Sequence, residues 1–492
     1  MLKIGWSKRD VSTDKPVNLP GQFHRRPSRG VLDPITINCL VIENEDIVIF
    51  ISGDFVSGGN MIDVFREKVL SRRPDFPASK MIFNITHTHC GADIRSKKDI
   101  DDPNIYSATK YQEYMSDLTV DAILEAYDNR AEGYIGYGYG YAAVAHSRRT
   151  TYSDNVSLRE GATEGSSLMI DGHARMYGNT NDDKFIGFEG GADHYSNFMF
   201  TFDRDKNLTG AIINIPCPSQ NSELEYYLTA DYWHNVREIL YAKYGDIGIL
   251  PQCAAAGDLS PRPLHYSEAE KRRFSLKYKD YKIDERVERP TEILRRKDIA
   301  ERICASFDEV FEWAKEDLLS DAEVSHTVKT IKLEKLLITD EQYKDSITGL
   351  EYVKNEKIEL TGDPVKDNYE LTVQKTKINR YQNIINRYEA QQTNPTSDME
   401  LHVIKIGDIA FATNPYELYI DFQHQIQARS PFTQTFIIQL VDQPTGNPGG
   451  YLATERGMEN LGYSANIYSN VISPEGGHQL VEETLKELKK IY

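Results

Sequence analysis

The stretch Thr86-His87-Thr88-His89-Cys90-Gly91 carries the densest chemistry in the chain. Two imidazoles separated by one residue point to the same face wherever the backbone is extended. Such a pair suits a metal ligand with an acid/base partner beside it, because imidazole both coordinates metals and titrates near neutral pH. It suits a polar cap on a strand equally well, and the pair alone does not separate the two. Four further stretches place polar groups after apolar or small residues. They are Ala145-His146-Ser147-Arg148-Arg149, Gly257-Asp258-Leu259-Ser260-Pro261, Ala412-Thr413-Asn414-Pro415-Tyr416-Glu417 and Gly449-Gly450-Tyr451-Leu452-Ala453-Thr454, with Tyr463 twelve residues beyond Tyr451. Each is weak by itself, since a Glu after a strand is usually solvated and a Tyr after Gly-Gly usually packs.

To act together, these groups need strands that end at one place. Residues 81–85 read as a buried strand, and the β-branched runs 35–42 and 46–54 as two more. A helix is expected over 55–73, with Met61, Val64, Phe65 and Val69 on one face. Strand, helix, strand implies a parallel pair, so Asp54 and His87 would both lie at carboxyl ends, where open sheets place their ligand crevice. Helices are also expected at 109–130, 230–243 and about 476–490, and strands at 198–202, 208–215, 247–253, 400–414 and 436–441. The run from Gly133 to Gly140 alternates glycine with mostly tyrosine but lacks the Lys-Ser/Thr of a phosphate loop, so it reads as a strand. Residues 150–200 are polar and turn-rich, while 266–398 are charged and helix-rich, with amphipathic segments near 291–318, 340–356 and 368–392. No Gly/Ser linker sets 266–398 apart, so it reads as an insertion within a single domain over 1–492. The fold class expected is α/β (mixed α+β), with central mixed sheets and this helix-rich insertion.

Bulk properties narrow the partners. The chain has 492 residues, 40% of them hydrophobic, and a formal net charge of −18. That charge opposes binding to nucleic acid and stable anchoring on an anionic membrane, leaving a small-molecule substrate as the expected partner. No run approaches the roughly 18 apolar residues of a membrane span, and no apolar signal-peptide core follows Met1. The five cysteines, at 39, 90, 217, 253 and 304, are odd in number and scattered. This suggests reduced thiols and a cytoplasmic setting. Oligomeric state is not readable from the sequence.

Taken together, the motifs resemble those of the neutral/alkaline non-lysosomal ceramidase family. The family's Thr-His-Thr-His motif is matched by 86–89, its Gly-Asp-Val-Ser-Pro by 257–261 with Leu259 for Val, and its Pro-x-Glu by Pro415-Tyr416-Glu417. Its Tyr-x-x-Thr with a second tyrosine twelve residues on is matched by Tyr451, Thr454 and Tyr463. The order agrees over most of the chain, without the family's C-terminal immunoglobulin-like domain. The resemblance implies a zinc (Zn2+)-dependent amidohydrolase acting through a metal-activated water. His87, Glu417 and Tyr451 would be metal ligands, and Cys217 stands where the family has a second histidine ligand. His89 would be the acid/base, Tyr463 and Arg148 the oxyanion partners with Arg149 as rival to Arg148, and Ser260 an active-site hydrogen bonder. The polar flanks Asn414, 219–223 and Arg262 favour a smaller polar amide, ester or sugar derivative over long-chain ceramide. Two alternatives stay open: a hydrolase or lyase of a carbohydrate-like compound, and a non-catalytic binding protein on the same fold.

Overall fold

The computed structural model describes residues 1–95, 104–162, 168, 171–444 and 449–492. Three sheets share one apolar centre. The first has the order Met81–Ile85, Asp46–Gly53, Thr36–Asn44, Lys3–Asp10, Ala131–Glu132. The second runs Gly248–Cys253, Leu208–Ile215, Tyr195–Phe202, Tyr134–Tyr141, and the third Val324–Glu334, Thr396–Ile406, Ile409–Thr413, Gln434–Ile438. Side chains from all three meet in one core that includes Leu40, Phe50, Ile82, Met199, Leu250, Phe411 and Phe436. These runs are nearly continuous in Val, Ile, Leu and Phe because both faces of the strands are covered. The outer face of the first sheet packs on the helices Met61–Arg72 and Ala108–Asp128. The outer faces of the other two pack on Tyr232–Tyr244, Pro290–Ala314, Ile420–Arg429 and Pro474–Ile491.

Each sheet contains one parallel pair: Asp46–Gly53 with Met81–Ile85, Leu208–Ile215 with Gly248–Cys253, and Ile409–Thr413 with Gln434–Ile438. The remaining pairings within these sheets are antiparallel. The segments leaving the carboxyl ends of the parallel strands carry His87 and His89, Cys217 and Gln220, Ser260, Glu417 and Tyr451. Hydrogen bonds tie these ends together: Ser219 N donates to Thr86 O (3.3 Å), Gln439 N to Cys253 O (3.0 Å) and Asp442 N to Phe83 O (2.7 Å).

Several expectations are corrected. The helix expected from residue 55 begins at Met61, because Asn60 takes a left-handed φ of 63° and its N–H is capped by Asp442. The strands expected over 400–414 are Thr396–Ile406 and Ile409–Thr413, the first starting earlier than expected, with the reversal at Gly407 at φ 59°. The stretch 266–398 holds the helices Ser267–Lys277, Pro290–Ala314, Asp340–Asn355 and Pro364–Gln391, and also Val324–Glu334, an eleven-residue strand paired along its length with Thr396–Ile406. Within 150–200, part of which lies outside the described residues, Arg149–Tyr152, Ala174–Met176 and Phe185–Phe188 form a small sheet. Among the described residues, no helix is long and apolar enough to cross a membrane.

Candidate active site

The strand Met81–Ile85 ends before the two histidines, so strand alternation does not bring them together. His87 adopts φ 65°, a conformation that costs a non-glycine residue about 1–3 kcal/mol and concentrates at functional sites. The resulting reversal folds the rings onto each other, centroids 5.0 Å apart and nearly perpendicular. Neighbouring groups hold the turn. Asp54 accepts from Thr86 Oγ1 (3.2 Å) and is paired with Arg237 (2.8 Å), and Thr88 Oγ1 donates to Thr229 O (2.9 Å). The buried Arg26 donates to the carbonyls of His89 (2.5 Å), Pro20 (3.0 Å) and Glu225 (2.9 Å).

His87 Nδ1 lies 2.9 Å from the Val56 carbonyl, an acceptor, so Nδ1 carries the proton and Nε2 faces inward. Nε2 is 3.5 Å from Glu417 Oε2 and 3.5 Å from His89 Nε2. Glu417 reaches this point because its short strand pairs in parallel with that of Tyr451, placing the two side by side. Arg148, only 2% exposed, completes the group. It donates to Gly257 O (2.8 Å), Tyr451 Oη (3.1 Å), Gln220 Oε1 (3.2 Å) and Tyr177 Oη (3.4 Å), and lies 3.5 Å from Glu417 Oε2. Tyr463 stands edge-on to Tyr451 at 5.6 Å and to Phe23 at 5.5 Å. The helix Pro364–Gln391 braces that wall: Thr376 Oγ1 donates to Phe23 O (3.0 Å), and the Arg380 guanidinium lies 5.7 Å from the Tyr463 ring centre.

The electrostatics follow from burial and charge. Burial raises the Glu417 pKa, but His87 and Arg148 beside it outweigh that and hold the carboxyl below its usual range. Burial, then the charges of His87, Arg26, Arg148 and Arg262, drive His89 well below the ordinary histidine value, so it is neutral. Burial lifts the Tyr451 hydroxyl well above the ordinary tyrosine value.

The structure therefore brings together His87, His89, Arg148, Glu417, Tyr451 and Tyr463. It does not bring Cys217 to them. Cys217 Sγ packs in the apolar core, 3.4 Å from Val144 O and 3.7 Å from Pro218 O, and burial raises its thiol well above the usual value. Among the described residues, no three His, Cys, Asp or Glu side chains are grouped to hold a metal ion, so Cys217 does not form such a trio with His87 and Glu417. Ser260 is fully buried in a two-residue pairing with His146, and its Oγ accepts from Arg262 N (3.1 Å). Arg149 points away from the cluster, onto Glu189. Asp258 accepts from Ile420 N (3.0 Å) at the start of the helix that follows Glu417.

The inward-facing His87 nitrogen and the Glu417 carboxylate are both acceptors, 3.5 Å apart, a pairing that a proton or a metal cation between them would stabilise. Donors about 2.0–2.1 Å from a tetrahedral zinc lie roughly 3.3–3.4 Å apart, close to the 3.5 Å found here. The backbone anchor on His87 Nδ1 is the usual outer support of a zinc-bound imidazole. With Tyr451 as third donor, His87 and Glu417 would supply the three protein ligands that a catalytic zinc takes.

Sequence reasoning missed Tyr177 and Arg26 as parts of the site, and it had Gln220 and Glu223 only as members of a polar flank, with no role for either. Their only signal was a polar run directly after a strand's carboxyl end.

The architecture is that of the neutral ceramidases. Two solved structures show it: neutral ceramidase from Pseudomonas aeruginosa, with TM-score 0.66 and 13% identity over 100% of this chain and 74% of that one, and a structure described as ceramidase complexed with C2, with TM-score 0.64 and 12% identity over 100% and 75%. At that identity the likeness establishes the fold. No protein-family model matches the chain, and no curated protein matches it by sequence.

Proposed function

We propose that the chain is a zinc-dependent hydrolase that cleaves an amide bond in a small, polar N-acyl compound. The observation that carries this is the convergence of His87 and Glu417, at 3.5 Å, with the buried Arg148 and the neutral His89 around one point. His87, Glu417 and Tyr451 would hold the metal, which when bound supplies Lewis-acid polarisation of the scissile carbonyl and lowers the pKa of a water. The chain's own groups do the rest. Arg148, already fixed by four acceptors, stabilises negative charge developing on the carbonyl oxygen, with Tyr463 beside it. His89 accepts a proton from the attacking water and returns it to the leaving nitrogen. Ser260, already accepting from Arg262, keeps the adjoining loop in place.

The polar lining supports a polar substrate. Arg148 Nε is buried without a partner, a donor that a purely apolar chain would leave unpaired, at about 1–3 kcal/mol. The experiment is a side-by-side assay of the zinc-loaded protein on long-chain ceramide and a panel of short polar N-acyl amides. Turnover is expected on the panel, with ceramide poor. His89→Ala is expected to keep its metal and lose roughly 10²–10⁴-fold in kcat. Metal loss in that variant would make His89 a ligand, and ceramide turnover above the whole panel would refute the substrate class.

A further inference from the structure

We infer that Gln220 is a positioning residue that locks His89 in the Nδ1-protonated tautomer and ties it to Arg148. The inference rests on the reading of His89 as the acid/base. The argument begins at Arg148, whose guanidinium can only donate. Its Nη1 lies 3.2 Å from the Gln220 side chain, so the amide oxygen must face it. The amide nitrogen is thereby turned to His89 Nε2, 2.9 Å away. An amide N–H also only donates, so His89 Nε2 must be the unprotonated nitrogen and the ring proton must sit on Nδ1.

The other side of the ring points the same way independently. His89 Nδ1 is buried with no hydrogen-bond partner within normal reach, and the group it faces is a carboxylate, Glu223 Oε2 at 3.5 Å. A protonated Nδ1 is attracted to that carboxylate, whereas a bare lone pair would be repelled. Glu223 is itself held by Arg262 (2.6 Å), whose other nitrogen donates to the Gln220 backbone carbonyl (2.8 Å). One arginine thus sets both partners of His89. The consequence is chemical. Gln220 keeps Nε2 unprotonated, the state a general base needs, and occupies its lone pair until an attacking water takes the place of the amide, while Arg148 is kept in register with it.

The test uses the full-length protein as purified, with nitrogen-15 labelled histidine. In the wild type, His89 is expected to show the Nδ1–H tautomer, and an Nε2–H signal there overturns the inference whatever the variants do. Gln220→Glu is nearly isosteric but its carboxylate only accepts, so the proton is expected to move to Nε2. Gln220→Met keeps the volume and donates nothing, so the fixed tautomer is expected to give way to a mixture. Both variants are expected to lose about 10–10²-fold in kcat with KM little changed. Unchanged His89 signals in both variants overturn the proposal. A rise in kcat for Gln220→Met also overturns it and marks Gln220 as a plug in the substrate's place. If His89→Ala keeps full turnover, the acid/base reading fails, and the spectra still decide the tautomer by themselves.

Discussion

Adjacent arginines with opposite side-chain directions give a sharp test of which groups do chemistry. Arg148 and Arg149 are both buried, at 2% and 0% exposure. Arg149 grips Glu189 in a two-pronged pair (2.5 and 2.8 Å), and Glu189 is itself only 3% exposed. It also donates to Leu461 O (2.6 Å) and Gly457 O (3.3 Å). Arg149→Met leaves that carboxylate buried without a cation, and breaking such a pair costs about 3–5 kcal/mol. Arg148 sits farther from its carboxylate, 3.5 Å from Glu417 Oε2, and His87 remains beside Glu417 at the same distance. Arg148→Met should therefore fall at or below about 3 kcal/mol, the low end of that range. The rates should run the other way. Arg148→Met removes the proposed oxyanion partner, and a loss of about 10²–10³ in kcat is expected. Arg149→Met should keep wild-type kcat per folded molecule. Urea unfolding followed by circular dichroism gives the stabilities, and amide hydrolysis normalised to the folded fraction gives the rates. If Arg149→Met loses turnover as Arg148→Met does, or if Arg148→Met keeps it, the assignment of the oxyanion partner is wrong.

Gly21→Ala should cripple the site from outside it. Gly21 has φ 102°, and a Cβ there would lie 2.5 Å from the His89 ring, so the variant is expected to lose about 1–3 kcal/mol of stability together with turnover, read by thermal unfolding and assay; unchanged values would show that the loop yields. Asp258 tests pH dependence. Burial raises its folded pKa from 3.8 to about 6, so its favourable contribution is complete below 3.8 and is lost as pH rises towards 6. Across that window the wild type should lose about 1.4 kcal/mol per pH unit relative to Asp258→Asn, and parallel urea-derived stability curves for the two proteins would contradict this.

Much of the framework was legible because burial writes itself into composition. The strand at Met81–Ile85 was read to the residue, and its parallel partner nearly so, since both are continuous apolar runs covered on two faces. The glycine-tyrosine run is indeed a strand, Tyr134–Tyr141. Its glycines admit the helix Pro290–Ala314, since a Cβ at Gly138 would lie 2.1 Å from the Trp313 ring. What was not legible depends on direction rather than type. His87 and His89 meet through a left-handed turn that no periodicity announces. Cys217 stands at the place in the chain where a ligand was expected, but its Sγ turns towards Val144 O. Gln220 looks like a solvated loop residue until Arg148, 72 positions away, fixes its amide. Arg26 acts on the His89 carbonyl across 63 positions, a contact that local sequence cannot encode.

The measurement closest to the central claim is an anomalous difference map at the zinc edge, from crystals of the protein grown with zinc. A single strong peak is predicted, bonded to His87 Nε2, the Glu417 carboxylate and the Tyr451 hydroxyl oxygen, with Cys217 outside the coordination shell. A peak bonded to Cys217, or none in this cluster while His87 and Glu417 keep their direct contact, would contradict the account.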